Sequence, residues 1–513
     1  MRRLFRLVLP GLLAFGLLAA AAGATHNADQ HFKMEEVFTS PNGKTNSDFA
    51  FWGNHAFSGY YTGDAAPSGG VRIFDISNPA APRLVKDVQC DGLQADPIVW
   101  DRNGNGVADL MLLAVDRTMA NPACGAPRSA FGDPLGWEGV RVFTMSDDPA
   151  NPFAAVQQVK AVYTDCGAHT ITAWPKDDGS GLLVYVSSYP LRPGPTCGDT
   201  EYLNTANPYD EDPGSPNNPL HGVIQVVDVP FANPAASNEL NVQPEISYPG
   251  DPDGKIEWCE RGLCGLEPAA VACHDIVVHI EHRMAGAACA EQGQVWEIDA
   301  NGIPDTEHPM AVMDDEVSSG GTGNIPGAVD FFHSVMFDNE GEVVNLVDES
   351  FGSGCPTMTN WQARPWHPAG THKTGRMFFT DLEGNFLSEF HVGDLRPNPG
   401  ATEYCSAHMG MAVMGIDRDL LVNAWYTGGV DVIDFTDAAA LQEVAYYDPA
   451  RDSGTWSAYP YMGPTFERGP GIPVYASDGV ENNALAQGMV VYRALLQKVG
   501  SHTFDHLNPQ TMD

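Results

Sequence analysis

Lysine is scarce in this 513-residue chain. It supplies 8 of the 27 basic residues, against 66 Asp and Glu, for a net charge of −39. Phosphate backbones and anionic lipid surfaces are gripped through Lys and Arg, so this balance argues against nucleic acid and membrane-surface partners. Helical periodicity is nearly absent, and no apolar run after residue 22 is long enough to span a bilayer. Also missing are a Gly-x-Ser-x-Gly elbow, a His-Glu-x-x-His helix and a phosphate-cradling Gly loop followed by Lys. The commonest serine-hydrolase, zinc-protease and nucleotide-binding chemistries therefore lose their usual signatures. No CxxC pair is present either, which removes the simplest thiol-redox and zinc-ribbon motifs.

The long apolar run the chain does have lies at its start. Arg2, Arg3 and Arg6 precede Leu7 to Ala22, and Ala22-Gly23-Ala24 offers small residues where a signal peptidase cuts. Residues 1–24 read as a secretory signal cleaved after Ala24, which places the rest of the chain outside the cell or in a periplasm. The signal holds three of the 27 basic and none of the 66 acidic residues, so removing it takes the charge from −39 to −42.

In an oxidising compartment the ten cysteines read as disulfides. Sequence neighbours suggest Cys90/Cys124, Cys166/Cys197, Cys259/Cys264, Cys273/Cys289 and Cys355/Cys405, although spacing alone leaves the connectivity open.

What the chain has in abundance is turn material, 53 Gly and 39 Pro, between short β-branched runs. One pattern recurs, a Gly followed by a strand that ends near an Asp. It appears as Gly70 to Asp75, Gly139 to Phe143, Gly222 to Pro230, Gly293 to Asp299, Gly375 to Asp381, Gly429 to Phe435 and, in degenerate form, Gly488 to Tyr492. Seven copies lie about 55 to 85 residues apart. A repeated β unit buries its faces by stacking on neighbours, and seven units of about four strands suit a ring. The expected fold is all-β, a single seven-bladed β-propeller over residues 25–497 with long inter-strand insertions. Lys33 to Phe38 would complete the last blade, the residues before it would not pack, and residues 498–513 would form a disordered polar tail.

The strands ending in Asp-Ile-Ser-Asn-Pro (75–79), together with Cys273-His274-Asp275-Ile276, Phe332-His333-Ser334, Cys405-Ser406-Ala407-His408 and the run Ala424-Trp425-Tyr426-Thr427-Gly428-Gly429-Val430-Asp431-Val432-Ile433-Asp434-Phe435, resemble the secreted LVIVD-repeat family. The resemblance covers most of the mature chain and implies a propeller-type repeat. The family is largely uncharacterised, so it implies no activity. Pro464 to Pro473 departs from the pattern, which blurs the last blade boundary.

Two constellations carry chemistry. His55, His169, His274, His333 and His408 each precede a β run, and first strands line a propeller's channel, so five imidazoles would converge there. Asp96 stands where the second unit would have its His, and Tyr459 or Tyr461 in the seventh. Neutral imidazoles favour a transition metal such as copper, zinc or iron, with Asp275 and Glu349 as acceptors for ring N–H groups. The plainer reading is a hydrogen-bonded structural His repeated with the unit. The second constellation is Asp101, Asn103, Asn105, the Val107 carbonyl and Asp109, with Gly106 at the turn. That spacing wraps calcium, and it resembles the hairpins of FG-GAP and VCBS-type propellers. Its plain alternative is a run of Asn-Gly turns.

The sequence thus points to a secreted binding module for a small molecule or an extracellular protein or polysaccharide. The alternative is a copper- or iron-dependent oxidoreductase resembling selenium-binding protein/methanethiol oxidase propellers, and a metal-dependent hydrolase is a weaker third class.

Overall fold

The computed structural model describes residues 29–40, 45–61, 69–90, 94–115, 139–164, 167–187, 223–242, 244–246, 273–289, 292–315, 323–327, 329, 331–349, 375–392, 405–450, 454–466, 471–478, 488–496 and 503–513. The expected signal and most of the expected cysteine partners lie outside these residues. Among those described there is no α-helix, and none is long and apolar enough to cross a membrane.

Seven antiparallel sheets of four or five strands ring an axis and form a seven-bladed β-propeller. Blade 1 runs through Thr45–Trp52, His55–Tyr61, Gly70–Asp75 and Arg83–Gln89. Blade 2 uses Gln94–Trp100, Leu110–Val115, Gly139–Met145 and Val156–Tyr163. Blade 3 uses Thr170–Pro175, Gly181–Ser187, Gln225–Pro230 and Asn238–Glu239. Blade 4 begins Asp275–His279, Met284–Cys289, blade 5 Phe332–Phe337, Val343–Asp348, blade 6 Gly410–Ala412, Leu420–Ala424, and blade 7 Thr455–Pro460, Ile472–Asp478. Each blade is sandwiched between two others, so its middle strands are buried on both faces. Leu110–Val115 and Gly181–Ser187 are buried at every residue, whereas the outermost strand Arg83–Gln89 is largely wet. This is why apolar alternation is weak in the middle strands.

All seven copies of the Gly-strand-Asp pattern fall on third strands, which in blades 4 to 7 are Gln292–Glu297, Met377–Asp381, Val430–Asp434 and Gly488–Ala494; Gly222 itself lies outside the described residues. The Gly is demanded by close approach: a Cβ on Gly139, at φ +137, would lie 2.2 Å from the Val162 carbonyl oxygen of the fourth strand. The Asp folds the following turn. Asp381 Oδ1 accepts the N–H groups of Glu383 (3.1 Å) and Asn385 (2.7 Å), and Asp75 Oδ1 that of Ser77 (3.0 Å).

The ring closes as the sequence suggests. Met34–Thr39 pairs antiparallel with Gly488–Ala494 as the outer strand of blade 7. Both ends of the chain go further than expected. Gln30–Phe32 adds a fifth strand to blade 6, and Lys33, at φ 49, turns the chain from one blade to the next. Residues 503–513 are no solvated tail. His506–Leu507 and Thr511–Met512 pair with the inner strands of blades 1 and 4, and residues 507–512 are buried. The unpaired inner edges offer hydrogen-bonding groups that composition does not reveal.

Cys273–Cys289 is a disulfide, as sequence adjacency suggested, and ties the first two strands of blade 4 together. Cys90 and Cys405 are also disulfide-bonded, to partners outside the described residues.

Candidate metal centre

Four of the five expected histidines meet at one mouth of the channel. His169, His274 and His408 sit just before the inner strands of blades 3, 4 and 6. Each donates its backbone N–H to the end of its blade's second strand, at Ser187 O (2.7 Å), Ala288 O (2.8 Å) and Ala424 O (3.0 Å). His333 lies inside the first strand of blade 5, at a register shift between Phe332 and Ser334. Their rings follow the curve of the channel. Centroids are 4.3 Å apart for His169 and His274, 3.8 Å for His274 and His333, and 4.1 Å for His333 and His408.

Hydrogen bonds from blade to blade hold this row. His274 Nδ1 meets the His333 carbonyl oxygen at 3.0 Å and His408 Nδ1 meets that of Trp456 at 2.6 Å. Thr170 Oγ1 donates to His274 O (2.9 Å) and Ser334 Oγ to His408 O (3.0 Å). With Nδ1 of His274 and His408 donating to a carbonyl, the tautomer leaves each Nε2 as a lone-pair donor. Burial drives the pKa of His274 and His333 well below the usual imidazole value, with help from neighbouring histidines, and that of His408 to about 3. These three imidazoles are neutral, the form that ligates metal.

Glu349, just past the second strand of blade 5, completes a cluster with His333 and His408, all three buried. His333 Nε2 lies 3.6 Å from Glu349 Oε2, and His408 Nε2 lies 3.8 Å from Glu349 Oε1. These gaps are too long for hydrogen bonds. They are close to the spacing of about 3.4 Å expected for two ligands about 2.1 Å from one tetrahedral ion. His333 Nδ1 is buried with no hydrogen-bond partner. Tyr426 hydroxyl donates to Glu349 Oε1, and its ring stands edge-on to His408 at 4.9 Å. Two neutral imidazoles and one carboxylate suit copper, zinc or iron and leave coordination positions open. The sequence suggests Glu349 only as an acceptor for ring N–H groups; its carboxylate instead stands among the candidate ligand atoms. Tyr426 was legible solely as part of the Ala-Trp-Tyr-Thr-Gly-Gly run.

His55 is elsewhere. It opens the second strand of blade 1 after a turn at Gly53, half-buried, with its ring edge-on to Phe153 at 4.9 Å. Its polar-then-β context looks like the others, but the β run it precedes is a second strand. The inner strand of blade 1 carries Asp48 instead. Asp48, Asp96 and Asp275, from blades 1, 2 and 4, form a buried acidic group one step along the strands from the histidines. Asp96 Oδ2 accepts the N–H of Ile171 at 2.9 Å, and the hydroxyl of Tyr459 donates to Asp48. Burial raises the pKa of Asp48 to about 6, that of Asp275 to about 7 with Asp48 adding to it, and that of Asp96 well above the usual value. Asp275 thus belongs to this group rather than to the ring N–H partners. Asp96, which stands where the second unit would have its His, lies on the inner strand of blade 2.

The 101–109 hairpin is wound around Asp101. Its Oδ1 accepts from Asn103 N (3.1 Å) and Gly104 N (2.8 Å), and its Oδ2 from Gly106 N (2.6 Å). Asn103 Oδ1 and Asn105 Oδ1 cap Asn105 N and Val107 N, while Asp109 pairs with Arg102 at 2.8 Å. Asp147 approaches from the next hairpin, 2.6 Å from Asn103 Nδ2.

No protein-family model and no curated protein matches the chain. Among solved structures it is similar to Sqt1 of Chaetomium thermophilum bound to the N-terminus of a ribosomal protein, at 10% identity over 89% of this chain and 90% of that one, TM-score 0.44. It is similar to Raptor of the same organism at 10% identity, 92% and 30% coverage and TM-score 0.46, and to the Dos1 propeller at 10%, 91% and 96% and 0.43.

Proposed function

We propose that this chain is an exported propeller-type binding module of the LVIVD-repeat kind that carries a transition metal ion at one channel mouth on His333, His408 and Glu349, beside His274. The observation that carries the reading is the spacing of 3.6 and 3.8 Å between two buried neutral imidazoles and one carboxylate. Export is supported by the disulfide-bonded Cys90, Cys273, Cys289 and Cys405. The partner in this reading is a small molecule or an extracellular protein or polysaccharide, met by the loops around the ring. The 101–109 hairpin is proposed as a structural calcium clip, on its ligand spacing.

Open coordination positions favour a second reading, a copper- or iron-dependent oxidoreductase. Elemental analysis after reconstitution separately with copper, zinc and iron tests the centre. One equivalent of one of these metals per chain is expected, with affinity reduced at least tenfold in His333→Ala and in His408→Ala and unchanged in His55→Ala. Intact protein that takes up none of the three metals would falsify it. Oxygen consumption by metal-loaded protein with small thiols and phenols separates the oxidoreductase from the binding module.

A further inference from the structure

The inner strand of each blade presents one edge to the axis, with N–H and C=O groups that need partners. Segment 503–513 supplies them across five successive blades. Phe504 N–H donates to Met462 O (2.8 Å) at the end of the inner strand of blade 7, and Gly53 N–H in blade 1 donates to Asp505 O (2.7 Å). His506–Leu507 then pairs antiparallel with Phe51–Trp52, and the His506 ring stacks on Trp52 with centroids 4.4 Å apart. At blade 2 the Asn508 side chain substitutes for a strand. Its Oδ1 accepts from Val99 N–H at 2.9 Å and its Nδ2 donates to Val99 O at 3.0 Å. Thr511 Oγ1 donates to Ala173 O of blade 3 at 2.9 Å. In blade 4, Val278 and Ile280 donate their N–H groups to Gln510 O (2.9 Å) and Met512 O (2.8 Å), and Thr511–Met512 lies parallel to Val278–His279.

These contacts fall at the far ends of the inner strands, whereas the histidines sit at or before their beginnings. The segment therefore occupies the mouth opposite the candidate metal centre. Its binding mode is strand addition. Main-chain and amide bonds supply register, and two apolar side chains, Leu507 and Met512, anchor in the core.

We propose that this mouth is a recognition site for an extended peptide, filled here by the chain's own residues 503–513. The ligand class is a peptide with an apolar residue followed by Asn, then Thr and an apolar residue, spaced as Leu507, Asn508, Thr511 and Met512. While it is seated, a ligand for the histidine row enters from the histidine side. The site is independent of any metal.

The test uses the full chain with a specific-protease sequence inserted between residues 500 and 501, cut after folding. A fluorescent peptide of residues 503–513 is then titrated against cut protein washed in mild denaturant to release the native segment. One saturable site per chain is expected, with the Asn508→Ala peptide at least tenfold weaker. No saturable binding to cut protein that keeps its β-sheet circular dichroism overturns the proposal, and so does loss of the ring on washing. In the uncut chain, Asn508→Ala is expected to speed amide exchange at Val99 and within 504–512 at least tenfold while leaving the other blades protected. Uniformly faster exchange across all blades would overturn the proposal, because the segment would then belong to the folding core.

Discussion

Three carboxylates buried in one channel set the residue-scale energetics, because burial makes each resist ionisation, and neighbouring carboxylates add to this at Asp96 and Asp275. The folded-state pKa of Asp48, about 6, lies above its ordinary value of 3.8. A raised folded pKa means stability that is full below the ordinary value and lost as pH rises through the folded one. The buried histidines act in the opposite sense. Their lowered pKa gives stability that is present above about 6.5 and is lost as pH falls, for His408 through about 3. Asp48→Asn is therefore expected to unfold at a higher urea midpoint than the parent at pH 8. The difference corresponds to roughly 3 kcal/mol for a shift of about two units, and it disappears at pH 4. Parallel midpoint-against-pH curves would remove Asp48 from this role. Four of the five histidines were legible because each stands at the start of an apolar run that becomes an inner strand. His55 has the same neighbours in sequence but follows the tight Gly53 turn, and only pairing of Trp52 with His55 tells inner strand from second strand. Asp48, Tyr426 and Tyr459 were not singled out as a group because they come from different blades and share no motif.

At the scale of the element, the strands owe their ends to side chains that fold turns. The 101–109 hairpin is the case where such a turn also has calcium spacing. Its Asp101 already accepts three backbone N–H groups, as a loop preformed for a cation would have it, and Arg102 holds Asp109. Calcium at 10 mM is expected to stabilise the chain by about 1.4 to 2.7 kcal/mol for a site of extracellular affinity. Calorimetry with calcium and with chelator reads this as a rise of a few degrees in Tm, absent in Asp101→Ala. An unchanged Tm in the parent protein would leave the hairpin as a turn held by its own hydrogen bonds.

The whole molecule depends on closure. Completing the last blade locks the ring and leaves a propeller only short, protected strand edges, and here Met34–Thr39 completes it while Gln30–Phe32 reaches back to blade 6. Deleting residues 29–39 is expected to replace one cooperative unfolding transition by broad melting at least 10 °C lower, followed by calorimetry. Deleting 29–32 alone is expected to lower Tm by only a few degrees. Equal effects would mean that closure is not what the second strand contributes. The sequence by itself determined the repeat number, the all-β class, the glycine and aspartate grammar of the third strands and four of the channel histidines. All of these are local patterns that recur once per blade or lie close along the chain. The tertiary structure alone decided that Glu349 joins His333 and His408, that Asp48, Asp96 and Asp275 share one buried layer, and that residues 503–513 fill the opposite mouth. Those groupings are made across blades, by side chains far apart in sequence meeting on a common axis. No local periodicity encodes where that axis lies.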